Sequence, residues 1–162
     1  MSNIAAFSQA TNYICLRDVK AAATNGGTFT QDAWRTRVLT EETVDYGNHC
    51  ALASNQFILD AGTYICWISC PAAQVGRHKA RLQNITGGAT LLLGTSEFSL
   101  TDGAAYTVQS RSFISGIFTV AAAQTLEVQH YCENTNAGEG FGLASNFSVS
   151  EIYTIAEFLK VA

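Results

Sequence analysis

The sequence predicts an all-β sandwich or barrel, on three observations. Thirteen glycines and a single proline divide the chain into many short runs rich in Val, Ile, Thr, Tyr and Phe. Long helical periodicity is mostly absent. Apolar residues make up 48% of the chain and charged residues only 14%, which gives ample core material and no disordered character. At 162 residues the chain is one domain that buries roughly 68–70% of its unfolded surface, without needing a disulfide or a metal.

Residues 1 to 12 (MSNIAAFSQATN) have no periodicity and are expected to form an arm or linker, with the folded domain spanning residues 13 to 162. Tyr13 to Val19 is the first predicted strand, and the turn Asn25-Gly26-Gly27 follows it. Trp34 to Thr40 is the second. Glu41, Glu42 and Asp45, beside Tyr46-Gly47-Asn48, then mark a solvated loop. Gln56 to Leu59 and Thr63 to Cys70 flank Asp60-Ala61-Gly62, and Arg77 to Ile85 and Thr90 to Glu97 flank Gly87-Gly88. Val108 to Val120 lies beyond Thr101-Asp102-Gly103, and Asn136 to Gly140 separates Thr125 to Cys132 from Phe141 to Phe147. The last segment, Val149 to Val161, also fits a helical stripe through Val149, Ile152, Ile155, Ala156 and Leu159. Its β-branched and aromatic density favours a strand.

Strand faces carry the main functional information. Arg77, Lys79 and Arg81 alternate with His78, Ala80 and Leu82, the pattern of a sheet with one face in water. Thr63 to Cys70 is apolar on both faces: Tyr64, Cys66, Ile68 and Cys70 on one, Ile65 and Trp67 on the other. The closing strand repeats this, with Tyr153, Ile155 and Leu159 opposite Ile152, Ala156 and Phe158. A two-layer sandwich covers only one face of each sheet, so the second apolar face predicts an oligomer.

The net charge of −4 argues against general nucleic-acid or anionic-membrane binding. No apolar run approaches 18 residues, and no export signal or membrane insertion is expected. Cys15, Cys50, Cys66, Cys70 and Cys132 are odd in number and lack a repeated spacing, which suggests free thiols formed under reducing conditions. Asn84-Ile85-Thr86 and Asn146-Phe147-Ser148 occur no more often than chance gives.

Phe57-Ile58-Leu59-Asp60-Ala61-Gly62-Thr63-Tyr64 has the pattern Phe-x-x-x-x-Gly-x-Tyr ahead of a central strand. Ser115-Gly116-Ile117-Phe118-Thr119-Val120 leads to Leu126-Glu127-Val128-Gln129, and Gly140-Phe141-Gly142 with Asn146-Phe147 precedes the closing strand. In that order these blocks resemble C1q/TNF-like jelly rolls. With Ala33-Trp34-Arg35-Thr36-Arg37 and Leu93-Gly94-Thr95-Ser96-Glu97, they are similar to the C1q-like domains of tailed-bacteriophage fibre and other virion proteins, across about Tyr13 to Val161. The resemblance implies a two-sheet Greek-key jelly-roll sandwich of about ten strands that forms a homotrimer. It further implies that Leu126, Val128 and His130 point into the core, while Glu127, Gln129 and Tyr131 point toward neighbouring subunits. Ile65, Trp67, Tyr153, Ile155 and Leu159 complete the expected interface.

The residue pattern holds no catalytic or metal-binding constellation. On a strand, Cys66 and Cys70 stand roughly 13 Å apart, beyond the reach of one zinc ion. His130 and Cys132 fit packing better than ligation. There is no Gly-x-Ser-x-Gly elbow, and Gly138-Glu139-Gly140-Phe141-Gly142 is a turn rather than a nucleotide loop. The expectation is therefore a non-enzyme with no metal and no cofactor. Candidate ligand-binding residues are Arg77, Lys79 and Arg81, whose cations suit a phosphate or sugar carboxylate, and Trp34, a stacking platform that Tyr106 could supplement. The sequence thus predicts a homotrimeric bacteriophage virion protein, assembled in the host cytoplasm and serving host attachment at a fibre tip or virion surface. Its partners would be other copies of itself, other virion proteins, and a host-surface glycan or protein. One alternative is a capsid-decorating trimer docked by its arm; another, of a different class, is a secreted C1q/TNF-like ligand or lectin.

Overall fold

A computed structural model describes residues 12–100 and 107–162. The expected arm, the Thr101-Asp102-Gly103 turn and Tyr106 lie outside the described residues, except Asn12, whose backbone carbonyl accepts from Lys160 N. The strands are β1 (Tyr13–Lys20), β2 (Arg35–Thr36), β3 (Glu41–Asp45), β4 (Cys50–Ala53), β5 (Gln56–Leu59), β6 (Gly62–Ala73), β7 (Gly76–Asn84), β8 (Ala89–Ser99), β9 (Gln109–Val120), β10 (Gln124–Cys132) and β11 (Glu151–Lys160). No helix occurs among the described residues.

Two antiparallel sheets face one another. The inner sheet runs β3-β1-β11-β6-β9 and the outer sheet β4-β5-β10-β7-β8, with β2 added to β10. Neighbours in space are mostly distant in sequence, the mark of a Greek-key jelly roll. The longest ladder, β6 on β9, runs without a slip from Gly62 opposite Val120 to Ala73 opposite Gln109. Between the sheets, alternate residues supply Leu16, Phe57, Tyr64, Ile68, Leu82, Ile114, Leu126, Val128 and Phe158, all essentially sealed from water. Phe57 meets Phe158 at 5.2 Å and Tyr64 stacks on Phe118 at 5.6 Å. Each such side chain contributes about 1.5–3 kcal/mol of burial.

A smaller cluster of Phe29, Ala72, Val75, Cys132 and Phe141 closes one end. Beside it lies fully buried Arg37, whose guanidinium donates to Thr154 Oγ1 (2.8 Å), Pro71 O (3.1 Å) and Phe141 O (2.9 Å) and sits 4.2 Å from the Phe141 ring centre. Burial lowers its pKa to about 10, so it remains charged at neutral pH and is stabilised by those three acceptors.

Several expected elements differ. Trp34 to Thr40 keeps only two strand residues, because Arg37 and Leu39 turn inward between the sheets. Glu41 to Asp45 is an edge strand rather than a loop, although Glu41 and Glu42 do face water. Cys50–Ala53 is an edge strand the turn signals did not mark. Phe141 to Phe147 is a loop: Glu151 collects the backbone N–H groups of Ala23, Ser145 and Asn146 with its carboxylate, and Asn146 and Ser148 take φ of 59° and 63°. Phe141 N and Gly142 O are used instead by Gly27 and Gly26. In β11 two residues, Tyr153 and Thr154, oppose the single Asp18, since Arg17 pairs with Ile155 and Val19 with Ile152. This bulge reverses the alternation. Tyr153 therefore points inward, 2% exposed, and donates to Thr24 O, while Ile152 faces out.

Candidate functional site

The three cations of β7 do reach the solvent face of the outer sheet, where cross-strand register decides their neighbours. Arg81 pairs with Gln129, and Lys79 pairs with Tyr131 on one side and Ser96 on the other. Arg77 pairs with Phe98 and forms an exposed ion pair with Glu133 at 2.6 Å. Opposite Ala80, β8 bulges at Gly94 and Thr95. A side chain at Gly94 would meet Ser112 Oγ at 2.7 Å, so the close approach excludes one.

Trp34, just before β2, leans over this face and meets Tyr131 edge-on at 5.7 Å. Arg81 lies 4.1 Å from the indole centre, donates to Gln129 Oε1 (2.7 Å) and reaches Thr90 Oγ1 (3.1 Å). The result is an open groove of about 760 Å³ bordered by Trp34, Tyr131, Arg77, Lys79, Ser96, Phe98, His78 and Glu97. Of the expected ligand-binding residues, Trp34, Arg77 and Lys79 line it. Arg81 does not; it backs the indole from outside the groove. Phe98 and Ser96 were not foreseen, because their place opposite Arg77 and Lys79 is set by pairing rather than by any local motif.

Beneath the groove, His78 and His130 touch. His78 Nδ1 and His130 Nε2 are 3.0 Å apart, and His78 Nε2 is 2.8 Å from Ser110 Oγ. A hydroxyl, an imidazole and a second imidazole at these spacings have the arrangement of a nucleophile, its base and an orienting group. The proton directions run the other way. Ser110 gives its only proton to Phe98 O (3.1 Å), so His78 Nε2–H donates to Ser110, and His130 Nε2–H donates to His78 Nδ1. The chain is a clamp from the outer sheet through Ser110 of β9 and back to β8. Burial first, then Arg37, pushes His130 well below its usual pKa. Burial likewise lowers His78 to about 4, so both rings are neutral at pH 7.

The other solvent face, on the inner sheet, is of a different kind. Three registered rows cross β11, β6 and β9: Leu159, Ile65 and Ile117; Glu157, Trp67 and Ser115; Ile155, Ser69 and Phe113. Trp67 is 48%, Phe113 52% and Ile117 60% exposed, and Trp67, Phe113 and Ile155 border a depression of about 470 Å³. Ile65, Trp67, Ile155 and Leu159 thus share one surface as expected. Phe113 and Ile117 join them unforeseen, although the alternation of Phe113 and Ile117 with Ile114 and Phe118 repeats the two-faced pattern of β6.

Four of the expected interface residues lie elsewhere. Tyr153 is inside the chain, for the bulge reason given above. Glu127, Gln129 and Tyr131 lie on β10 of the outer sheet, not on the face of Trp67. Glu127 is only 5% exposed; it accepts from Gln56 Nε2 (3.0 Å) and from Gln129 Nε2. Tyr131 is a wall of the groove.

All five cysteines are free. Burial raises the thiols of Cys66, Cys70 and Cys132 to about 12, 11 and 11, which makes them unreactive fillers at neutral pH. Among the described residues no three His, Cys, Asp or Glu side chains cluster to hold a metal ion.

No family model and no curated protein matches the sequence. Solved structures do match in shape. The globular domain of zebrafish complement 1qA superposes with a TM-score of 0.57 at 9% identity, covering 93% of this chain and 98% of that one. Murine APRIL at pH 5.0 gives 0.56 at 11% identity, with 93% and 100% covered. Eiger TNF from S. frugiperda gives 0.59 at 14% identity, with 93% and 92% covered. Both sheets and nearly the whole chain take part, and the fold is a C1q/TNF-like jelly roll.

Proposed function

We propose that this chain is a non-enzymatic, homotrimeric recognition module of a bacteriophage virion. Two other copies cover the inner-sheet face, and each copy displays its outer-sheet groove toward a host-surface receptor. The observation that carries the trimer is the registered apolar block of Trp67, Phe113, Ile117, Ile65, Ile155 and Leu159. Trp67, Phe113 and Ile117 stand about half open to water (48%, 52% and 60%) on adjacent strands, flanked by half-buried Ile65, Ile155 and Leu159, the composition of an interface core rather than of scattered surface residues. Three grooves on one rigid body would raise apparent affinity for a repeated receptor without a strong single site. The virion assignment rests on the sequence blocks that resemble fibre-tip and virion domains, and five free thiols accord with assembly in a reducing cytoplasm.

Light scattering at micromolar protein should give three times the mass of one chain, and Trp67→Asp should give one. A stable wild-type monomer refutes the trimer. Cryo-electron microscopy of particles carrying the protein tests the location. Density at a fibre tip supports attachment, density on the capsid shell replaces it with the decorating role, and protein found only in a secreted fraction overturns both.

A further inference from the structure

We infer that the outer-sheet groove is a subsite for an acidic saccharide, whose carboxylate meets Lys79 and whose ring lies against Trp34 and Tyr131. This names the ligand class for the recognition role proposed above and rests on that role. Three cations line the outward edge of β7, and two are already engaged. Arg77 is held by Glu133, and Arg81 is divided among Gln129, Thr90 and the indole of Trp34. Lys79, between them, has no hydrogen-bonding or ionic partner among the described residues. Its cross-strand neighbours are Tyr131 and Ser96, and neither is an acid. Glu97 borders the groove but is the register partner of His78, so it shares the inward side with His78 and not the face of Lys79.

An ammonium is a compact point charge, suited to one monoanionic group; a phosphate dianion would favour guanidinium forks, which are occupied here. The walls add a second requirement. Trp34 and Tyr131 hold each other edge to face and Arg81 packs on the indole, so both rings at the groove are held in place and meet a ligand with little ordering cost. Planar aromatics beside a hydroxyl (Ser96) and one ammonium complement a pyranose, which has an apolar C–H face, a hydroxyl rim and, in uronic or sialic acids, one carboxylate. The groove of about 760 Å³ is of ligand size. An acidic peptide would bring several charges to a face that offers a single free cation.

The test titrates the full chain with sialyllactose against lactose, and with oligogalacturonate against its methyl ester, by calorimetry or saturation-transfer NMR. In at least one pair the acid should bind at least tenfold more tightly than its neutral partner, and the margin should shrink as salt is added. Lys79→Gln should erase the margin, Lys79→Arg should keep it, and Trp34→Ala should weaken acid and neutral sugar alike. Equal binding within both pairs, or a margin that survives Lys79→Gln, overturns the subsite. So does a hexaglutamate peptide that outcompetes both acids. Light scattering on the same samples separates the two proposals: a trimer that ignores all four sugars refutes the subsite alone, and a monomer that binds an acid refutes the trimer alone.

Discussion

The sandwich shows water two faces built by the same alternation rule and opposite in content. On the inner sheet, the outward positions of β6 and β9 carry Trp67, Phe113 and Ile117, and the nearest carboxylate, Glu157, is engaged by Tyr13. On the outer sheet, the outward positions of β7 carry Arg77, Lys79 and Arg81, with aromatics stationed beside them. Apolar area can leave water only by meeting more protein, whereas a cation flanked by rigid rings remains soluble and still discriminates among solutes. Under the function proposed above, the difference gives assembly to one face and recognition to the other.

The strongest way to break this comparison is to remove what both faces share. Arg37 lies between the sheets and binds Thr154 of β11, Pro71 of β6 and the Phe141 loop. Arg37→Met keeps the volume but strands three buried acceptors and should cost about 3–5 kcal/mol. Denaturant unfolding should show both faces lost in one transition. A variant as stable as the wild type would mean that those acceptors find other donors.

The His78–Ser110 clamp sharpens the contrast, because it fastens the groove side to the inner sheet. In the unfolded chain His78 titrates near 6.5; in the folded chain burial holds it at about 4. Between those values the unfolded state binds more protons, so stability falls as pH falls, by up to roughly 1.4 kcal/mol per unit and roughly 3 kcal/mol over the window. Above pH 6.5 the contribution is complete. Unfolding midpoints at pH 7, 5.5 and 4 should therefore drop more steeply for the wild type than for His78→Gln. Parallel curves would show that His78 does not report the acid sensitivity.

Trp67→Asp separates the faces outright. Placing a carboxylate at the centre of the apolar block should cost about 2 kcal/mol or more of association, some thirtyfold in Kd, while leaving the monomer folded. Ultracentrifugation over a concentration series reads the shift. Lys79→Gln in the same assay should leave association unchanged, and an equal loss from both substitutions would end the division of labour.

Much of this division was legible in the residues. Period-two alternation placed Arg77, Lys79 and Arg81 outward and exposed the double apolar character of Thr63 to Cys70, because burial on strands has a period that can be counted. What failed was whatever depends on pairing. Tyr153 was misplaced because a bulge opposite Asp18 inserts one residue, and a one-residue slip exchanges faces. That Glu127, Gln129 and Tyr131 fall on the opposite sheet from Trp67 was not legible, because strand order, which puts β10 in the outer sheet, is not written in any single strand. The His78–His130 contact was missed for the same reason. Each ring faces inward by its own local pattern, but only the β7–β10 register makes them neighbours.

The smallest effect concerns Arg81, and it tests how the groove wall is held. Its guanidinium over Trp34 is worth about 0.5–1 kcal/mol at a partly exposed site, and Arg81→Ala should lower stability by about that much. Arg81→Lys keeps the charge but loses the planar stack and the hydrogen bond to Gln129, so it should recover little of the loss. A double-mutant cycle with Trp34→Phe isolates the pair. Zero coupling would leave Trp34 fixed by Tyr131 alone. Positive coupling, with association unaffected, would show that the recognition face is organised within one chain while the assembly face depends on its neighbours.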